Sequence, residues 1–275
     1  MRGLFFLADI SLDAGRLDSA EIAITSNARG LIAGVIVGKK TGVAPGARII
    51  SIRLGDNTKY ESDALSDGLF FVRSLKPDIV NISLGHSNYN AVEAEAYKGL
   101  MEKGILIVAA AGNNGSGARF PAAYGSVISA VGVDQQAKHY EKSNIWPTAK
   151  IAAPAKDIIT TSPSKPGNVP QYCRTHGTSF AAAHISGILA LGASYLKRKH
   201  QYDPLLLMRS LYETAIDVSQ EEPYRTEAMK LIKEYQERID PEGIFLKCNA
   251  QVIQAMYGRG LARVIRMLEY LHSKT

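Results

Sequence analysis

Cysteines are scarce in this sequence, and so are long apolar runs. The 275 residues include only two cysteines, Cys173 and Cys248, too few for a disulfide framework in a chain of this length. No run approaches the roughly 20 apolar residues of a membrane span. The segment 1–15 has only about five consecutive apolar residues before Asp9, too few for a signal-peptide core. We therefore expect a cytosolic chain, or a piece of a larger protein, with no membrane partner.

Charge of one sign is not in large excess either. The chain has 32 Lys and Arg against 26 Asp and Glu, a net charge of +6. The densest basic run, 197–200, is short and has no interleaved aromatic residues. It lies at the C-terminal end of a segment with helical spacing, and cations there interact favourably with the negative end of the helix dipole. We therefore expect no nucleic-acid partner.

Short apolar segments alternate with amphipathic ones through the first half of the chain. The apolar segments are 4–8, 48–54, 78–84, 105–111 and 126–133. Between them, 28–38, 61–75 and 91–104 carry apolar residues at helical spacing. Strands that are apolar throughout, each followed by a helix, predict a mostly parallel sheet covered on both faces, in an α/β/α arrangement of three layers. Ligands bind such sheets beyond the carboxyl ends of the strands, where the loops 83–88 and 109–117 lie.

The last part of the chain has an almost entirely helical pattern. An Asp-Pro pair predicts the start of a helix over 203–215, and the segments 226–240 and 260–274 are amphipathic. No linker separates them from the rest, so we expect one domain over 1–275, with a helical insertion at 218–256 and a helical C-terminal extension. The charged helix at 226–240 is either a docking element for a protein partner or a solvated surface helix.

Four segments carry the most specific motifs. They are GVAPGARIISIRL (42–54), DIVNISLGH (78–86), VAAAGNNGS (108–116) and HGTSFAAAHISG (176–187). In this order they resemble the subtilisin-like serine peptidases, the subtilase or S8 family, and the stretches at 121–134, 151–161 and 257–268 match as well. The resemblance implies the three-layer subtilisin-like fold and a serine endopeptidase acting on peptide or protein substrates.

The resemblance places the nucleophile on Ser179 and the oxyanion-binding asparagine on Asn113. Physical chemistry agrees with both assignments. Gly177 allows a tight turn before the serine, and a helix that starts there stabilises developing negative charge. Asn113 lies on a loop between a strand and a helix, from which its amide N–H can donate to an oxyanion. The alternatives are a helix cap for Ser179 and an ordinary turn residue for Asn113.

The resemblance also implies a peptide-binding cleft. Its borders are expected at Ser83, Leu84, Gly85, His86, Ala110 and Gly112. The segment 81–85 should present a strand edge that pairs with an extended peptide through main-chain hydrogen bonds. His86 stands where the family has a small residue, so it is expected to narrow the pocket for the substrate side chain or to give it a polar wall. The alternative for His86 is a solvated loop histidine.

The expected general base is missing. The family motif reads His-Gly-Thr-His-Val-Ala-Gly, and its equivalent here, ARGLIAG (28–34), has Ala28 in the histidine position; the chain contains no histidine before His86. A serine hydroxyl is a poor nucleophile until a base takes its proton. Two hypotheses follow: a serine endopeptidase that is inactive or nearly so in this form, or a natural pseudoprotease that acts as a peptide-binding or scaffold domain.

The sequence offers two candidates for the triad aspartate and one alternative base. Asp9 ends an apolar strand, as the family requires, whereas Asp13 precedes Ala-Gly and resembles the family's Asp-Thr-Gly. We favour Asp9 as the triad aspartate and keep Asp13 as the alternative. His176 lies in the same loop as Ser179 but would approach from the wrong side and without an orienting carboxylate. His184 matches a structural histidine of the nucleophile helix.

Metal sites are not expected. The family's tight calcium loop falls at 37–42, where this chain has two lysines and no carboxylate. Calcium takes about six to eight oxygen ligands. No cysteine and histidine cluster has the spacing of a zinc site. We expect neither a metal nor another cofactor.

Overall fold

The computed structural model describes residues 4–8, 27–52, 62–162, 171–218 and 256–275, together with residues 220, 221, 225, 226, 229, 230 and 233. Asp9, Asp13 and Cys248 lie outside these residues, as does most of the predicted 218–256 insertion with its 226–240 helix. Those expectations therefore stay predictions.

Six parallel strands form the central sheet. They are β1 (Leu4–Ala8), β2 (Arg48–Ile52), β3 (Ile79–Ile82), β4 (Leu106–Ala110), β5 (Ile128–Val133) and β6 (Ile151–Pro154). Their order is β2-β1-β3-β4-β5-β6, and every neighbouring pair is parallel. Every residue of β3, β4 and β5 is buried, as expected for strands covered on both faces.

Helices cover both faces of this sheet. They are α1 (Asn27–Val37), α2 (Ser62–Leu75), α3 (Ala91–Met101), α4 (Thr178–Arg198), α5 (Pro204–Glu213) and α6 (Val264–Lys274). One hydrophobic cluster joins α1, α4, α5 and α6 to one face, and a second joins α2 and α3 to the other. Neighbouring residues such as Ile79 and Val80 enter opposite clusters, because side chains alternate along a strand. The predicted α/β/α class is confirmed.

The central helix α4 packs closely because it is built from small residues. A Cβ on Gly187 would lie 2.6 Å from Val43 Cβ, so glycine lets the chain after α1 approach α4. By length and composition α4 is apolar enough to cross a membrane, which the sequence analysis did not anticipate. However, 72% of its apolar window is buried within the protein, as in the core helix of a soluble protein.

A two-stranded antiparallel hairpin leads into α4. It comprises β7 (Ile158–Ser162) and β8 (Gln171–Thr175), with Ile158 opposite Thr175. Neither strand of this hairpin was among the predicted apolar segments. The start of the helix after the basic run was predicted correctly, since the Asp203 carboxylate accepts a hydrogen bond from Leu205 N–H at 2.8 Å.

Candidate active site

The turn between β8 and α4 positions Ser179. Gly177 has φ of 138°, a conformation that favours glycine, and its N–H donates to Ala155 O at 2.7 Å. Helix α4 begins at the next residue, Thr178, so Ser179 lies in its first turn. The first N–H groups of a helix have no partner inside the helix and carry its positive dipole end. The Ser179 side chain therefore lies beside donors suited to an anion.

The loop after β4 is joined to the start of α4 by two hydrogen bonds. Gly112 N–H donates to Thr178 Oγ1 at 3.0 Å, and Thr178 N–H donates to Asn113 Oδ1 at 2.8 Å. With its oxygen held in this way, the Asn113 amide keeps its Nδ2 group as a free donor among the described residues. Asn113 Nδ2 and the Ser179 N–H, which has no backbone partner among the described residues, form a donor set that can bind an oxyanion.

The hydroxyl of Ser179 has a weak partner. Ser179 Oγ lies 3.5 Å from Ser83 O, at the outer limit of a hydrogen bond. Within the described ranges no histidine or carboxylate lies within hydrogen-bond distance of this hydroxyl. His176 is exposed, and its ring centroid lies 6.2 Å from that of Tyr140. It makes no hydrogen bond to Ser179.

A chain of buried side chains connects α4 to the cleft. Ser186 Oγ donates to Asn81 Oδ1 at 3.0 Å, and Asn81 Nδ2 donates to Ser83 Oγ at 3.1 Å. Ser83 Oγ in turn lies 3.4 Å from Ser179 O. Asn81 and Ser186 have no exposed surface. This chain fixes Ser83 relative to Ser179.

A pocket of about 370 Å³ lies against Ser179. Its walls are the ends of β3 and β4, the loops that follow them and the start of α4, which contribute Ser83, Leu84, Gly85, Ala110, Gly112, Asn113, Asn114, Arg119, Thr178 and Ser179. The structure thus brings together Ser179, Asn113 and five of the six residues expected to bind substrate. The site lies beyond the carboxyl ends of the strands, as expected for a parallel sheet.

His86 does not line this pocket, contrary to the expectation that it would narrow it. Its Nε2 lies 2.9 Å from Glu93 Oε2, a carboxylate only 5% exposed. Its backbone pairs in both directions with Phe120, at 2.7 and 2.9 Å. The polar wall comes instead from Arg119, which the sequence analysis missed. Arg119 can be recognised only from the folded structure, because in the sequence an arginine after a Gly-rich loop is typical of an ordinary surface residue.

Comparison with known proteins decides the family. The subtilase family (Peptidase S8) matches residues 25–233, more than half of the chain. The chain belongs to the subtilase family.

Two intracellular serine proteases are about a third identical to it. The major intracellular serine protease of Bacillus subtilis (strain 168) is 34% identical over 168 residues, 58% of this chain and 51% of the relative. The intracellular serine protease of Paenibacillus polymyxa is 32% identical over 179 residues, 62% of this chain and 50% of the relative. The chain therefore spans about half the length of these curated relatives.

A solved structure supports the fold. The prenylagaramide maturation protease PagA superposes with a TM-score of 0.74 at 21% identity, covering 99% of this chain and 94% of that one. At this identity the likeness concerns the fold alone.

A further expectation about the subtilase site concerns α1. Ala28 lies in its first turn, and only its backbone is described. The helix is fixed to the hairpin by Thr160 Oγ1, which donates to Leu31 O at 2.7 Å, and by Thr161 Oγ1, which donates to Gly30 O at 2.8 Å. These two hydrogen bonds fix the backbone of α1 close to residue 28. Both candidates for the orienting aspartate, Asp9 and Asp13, lie outside the described residues, so that expectation stays a prediction.

His184 has a structural environment. Its Nδ1 lies 2.8 Å from Phe180 O, one turn earlier in α4. Loss of contact with water lowers the pKa of His184, although hydrogen bonds to the Phe180 and Pro154 carbonyls oppose that shift. The imidazole is therefore favoured in its neutral form. In the described ranges no three His, Cys, Asp or Glu side chains form a group that could hold a metal ion.

Proposed function

We propose that this subtilase domain binds an extended peptide along the cleft beside Ser179 and that, with alanine at residue 28, it hydrolyses peptide bonds slowly or not at all. The observation that carries the proposal is one pocket that joins a serine at a helix start, the Asn113 amide and the segment after β3. The only partner of Ser179 Oγ among the described residues is the carbonyl of Ser83.

The peptide-binding part rests on the backbone after β3. Leu84 and Gly85 make no backbone hydrogen bond to another described residue, whereas the next residue, His86, is already paired with Phe120. Gly85 is exposed. An extended peptide can therefore add main-chain hydrogen bonds at Leu84 and Gly85. This capacity needs no general base.

The catalytic part rests on residue 28. A subtilase takes its base from the histidine of this helix, and alanine has no proton acceptor. Loss of the histidine alone lowers kcat by about 2 × 10⁶ in subtilisin. The oxyanion donors and substrate binding still give about 10³–10⁴ over water. We expect no more than this residual activity from the chain as written.

A second candidate is a natural pseudoprotease that serves as a peptide-binding or scaffold domain. It is favoured by the breadth of the change in α1: Arg29, Gly30 and Leu31 differ from the family motif along with Ala28. The charged helix at 226–240 would then be a docking element for a protein partner. The names of both relatives as intracellular proteases support a cytosolic location for either candidate.

The test compares the chain as written with Ala28→His, and with Ser179→Ala in each background. Hydrolysis of a fluorogenic peptide library and binding of labelled peptides are measured for all four proteins. A rise of about a hundredfold or more with Ala28→His, abolished by Ser179→Ala, supports the impaired peptidase. Binding without any rise supports the scaffold. Failure of all four proteins to bind peptides contradicts both candidates.

A further inference from the structure

We propose that Arg119 makes this pocket selective for an acidic substrate side chain, so that the cleft prefers peptides with glutamate or aspartate at the residue whose side chain enters it. This inference rests on the proposed peptide-binding function and names the substrate class of that same site.

Arg119 is one of the residues that line the pocket. A Cβ built on Gly112 would lie 3.1 Å from Arg119 Cγ, and one built on Gly85 would lie 3.8 Å from Arg119 Cβ. The stem of Arg119 thus lies between the two glycine-containing walls. Its guanidinium reaches the loop that follows Gly85, where Nη1 donates to Ser87 Oγ. The side chain thus lines the pocket and is held at its far end by Ser87.

The backbone that carries Arg119 is fixed as well. The next residue, Phe120, exchanges two backbone hydrogen bonds with His86, at 2.7 and 2.9 Å. The His86 ring is held by Glu93, whose other partner is the Tyr124 hydroxyl at 2.9 Å. Arg119 therefore extends from a segment fixed by backbone hydrogen bonds, and Ser87 holds its guanidinium. A preorganised cation loses little freedom when an anion binds.

The charge balance of the pocket favours an anion. Arg119 is the only charged residue among the described residues that line it, and none of them is acidic. No carboxylate in the described ranges forms an ion pair with Arg119. The buried carboxylate nearby, Glu93, is already occupied by His86 and Tyr124. A guanidinium has five N–H donors, and the Ser87 contact uses one of them.

A carboxylate side chain fits both the space and the donors. The volume of about 370 Å³ accommodates a glutamate side chain. The guanidinium N–H donors that Ser87 does not use can bind its two oxygens with parallel N–H···O bonds. A lysine or arginine in the pocket would meet a like charge without a neutralising partner among the described lining residues. The pocket is thus matched to acidic side chains and opposed to basic ones.

The experiment measures binding, so it does not need catalysis. Fluorescein-labelled Ala-Ala-Pro-Glu, Ala-Ala-Pro-Gln and Ala-Ala-Pro-Lys amides are titrated with the chain as written, and Kd is read from fluorescence anisotropy. We expect the glutamate peptide to bind about tenfold more tightly than the glutamine peptide, as for a partly exposed charged hydrogen bond. The lysine peptide should bind most weakly. Raising the salt concentration should shrink the difference.

Variants assign the preference to Arg119. Arg119→Gln should equalise the glutamate and glutamine peptides, and Arg119→Glu should reverse the order in favour of lysine. Arg209→Gln is the matched control, because it removes the same charge from an exposed position on α5 that does not line the pocket. It should keep the tenfold preference. Melting temperatures confirm that each variant is folded.

The outcomes separate the two proposals. Equal Kd values for the glutamate and glutamine peptides, or a preference that survives both Arg119 variants, overturn the role of Arg119 and leave peptide binding intact. If none of the three peptides binds the chain as written, the peptide-binding function itself fails, and the selectivity falls with it.

Discussion

Replacing Asn81 by alanine should destabilise the fold through the hydrogen-bond chain that holds the cleft. Asn81 is fully buried, accepts from Ser186 Oγ at 3.0 Å and donates to Ser83 Oγ at 3.1 Å. Two hydrogen bonds are lost, each worth about 1 kcal/mol, and the Ser186 hydroxyl stays buried without a partner, which costs about 1–3 kcal/mol. The lost Ser186–Asn81 hydrogen bond and the unpaired Ser186 hydroxyl describe the same contact, so their cost is counted once. We therefore expect a loss of about 3 kcal/mol in the free energy of unfolding.

A double-mutant cycle tests this explanation. Ser186→Ala alone removes one hydrogen bond and leaves the Asn81 oxygen unpaired, for about 1–2 kcal/mol. The double variant leaves no orphaned Ser186 hydroxyl, so its loss should fall short of the sum by about 1 kcal/mol. Urea unfolding gives the free energy of unfolding of the chain as written, the two single variants and the double variant, compared at equal m-value. Ser273→Ala is the control, because Ser273 is an exposed serine, and it should change this free energy little. A loss below about 0.5 kcal/mol for Asn81→Ala, or strict additivity, would refute the reasoning.

Three further results are expected. Burial lowers the pKa of His184, so the unfolded chain binds more protons than the folded chain just below the ordinary histidine pKa of about 6.5. The free energy of unfolding, measured with urea, should therefore fall as pH drops from about 6.5 to 5. His184→Gln should flatten this fall. Gly187→Ala should destabilise by about 1–3 kcal/mol because its Cβ would lie 2.6 Å from Val43 Cβ, and Val43→Ala should recover part of the loss; no recovery would contradict the packing argument. EDTA should leave the melting temperature unchanged, since 37–42 contains no carboxylate, and a drop of several degrees would reveal a metal site elsewhere.

The central sheet was predictable because its strands are buried on both faces. β3, β4 and β5 appear in the sequence as short, continuous apolar runs, and the structure places each of them within one or two residues of the predicted bounds. The hairpin was missed because it lies outside this sheet and exposes Ile159 and Tyr172. Its second strand, with Cys173 between polar residues, has no apolar run to mark it.

The site was predictable where motifs define it and not where distant contacts do. Ser179 and Asn113 were located by short motifs, and the structure brings both to one pocket. Arg119 depends on Ser87, which is 32 residues away in the sequence. His86 points to Glu93 because of the α3 packing, which no local pattern encodes. Such roles follow from tertiary contacts rather than from local sequence.

The most direct measurement is the rate at which a fluorophosphonate labels Ser179 in the chain as written, in Ala28→His and in His176→Ala. We predict slow labelling of the chain as written, because its hydroxyl is not activated, and no change with His176→Ala. Ala28→His should accelerate labelling if an aspartate can orient the imidazole, and adding Asp9→Asn or Asp13→Asn should show which one does. Fast labelling of the chain as written, abolished by His176→Ala, would contradict the account and make His176 the base.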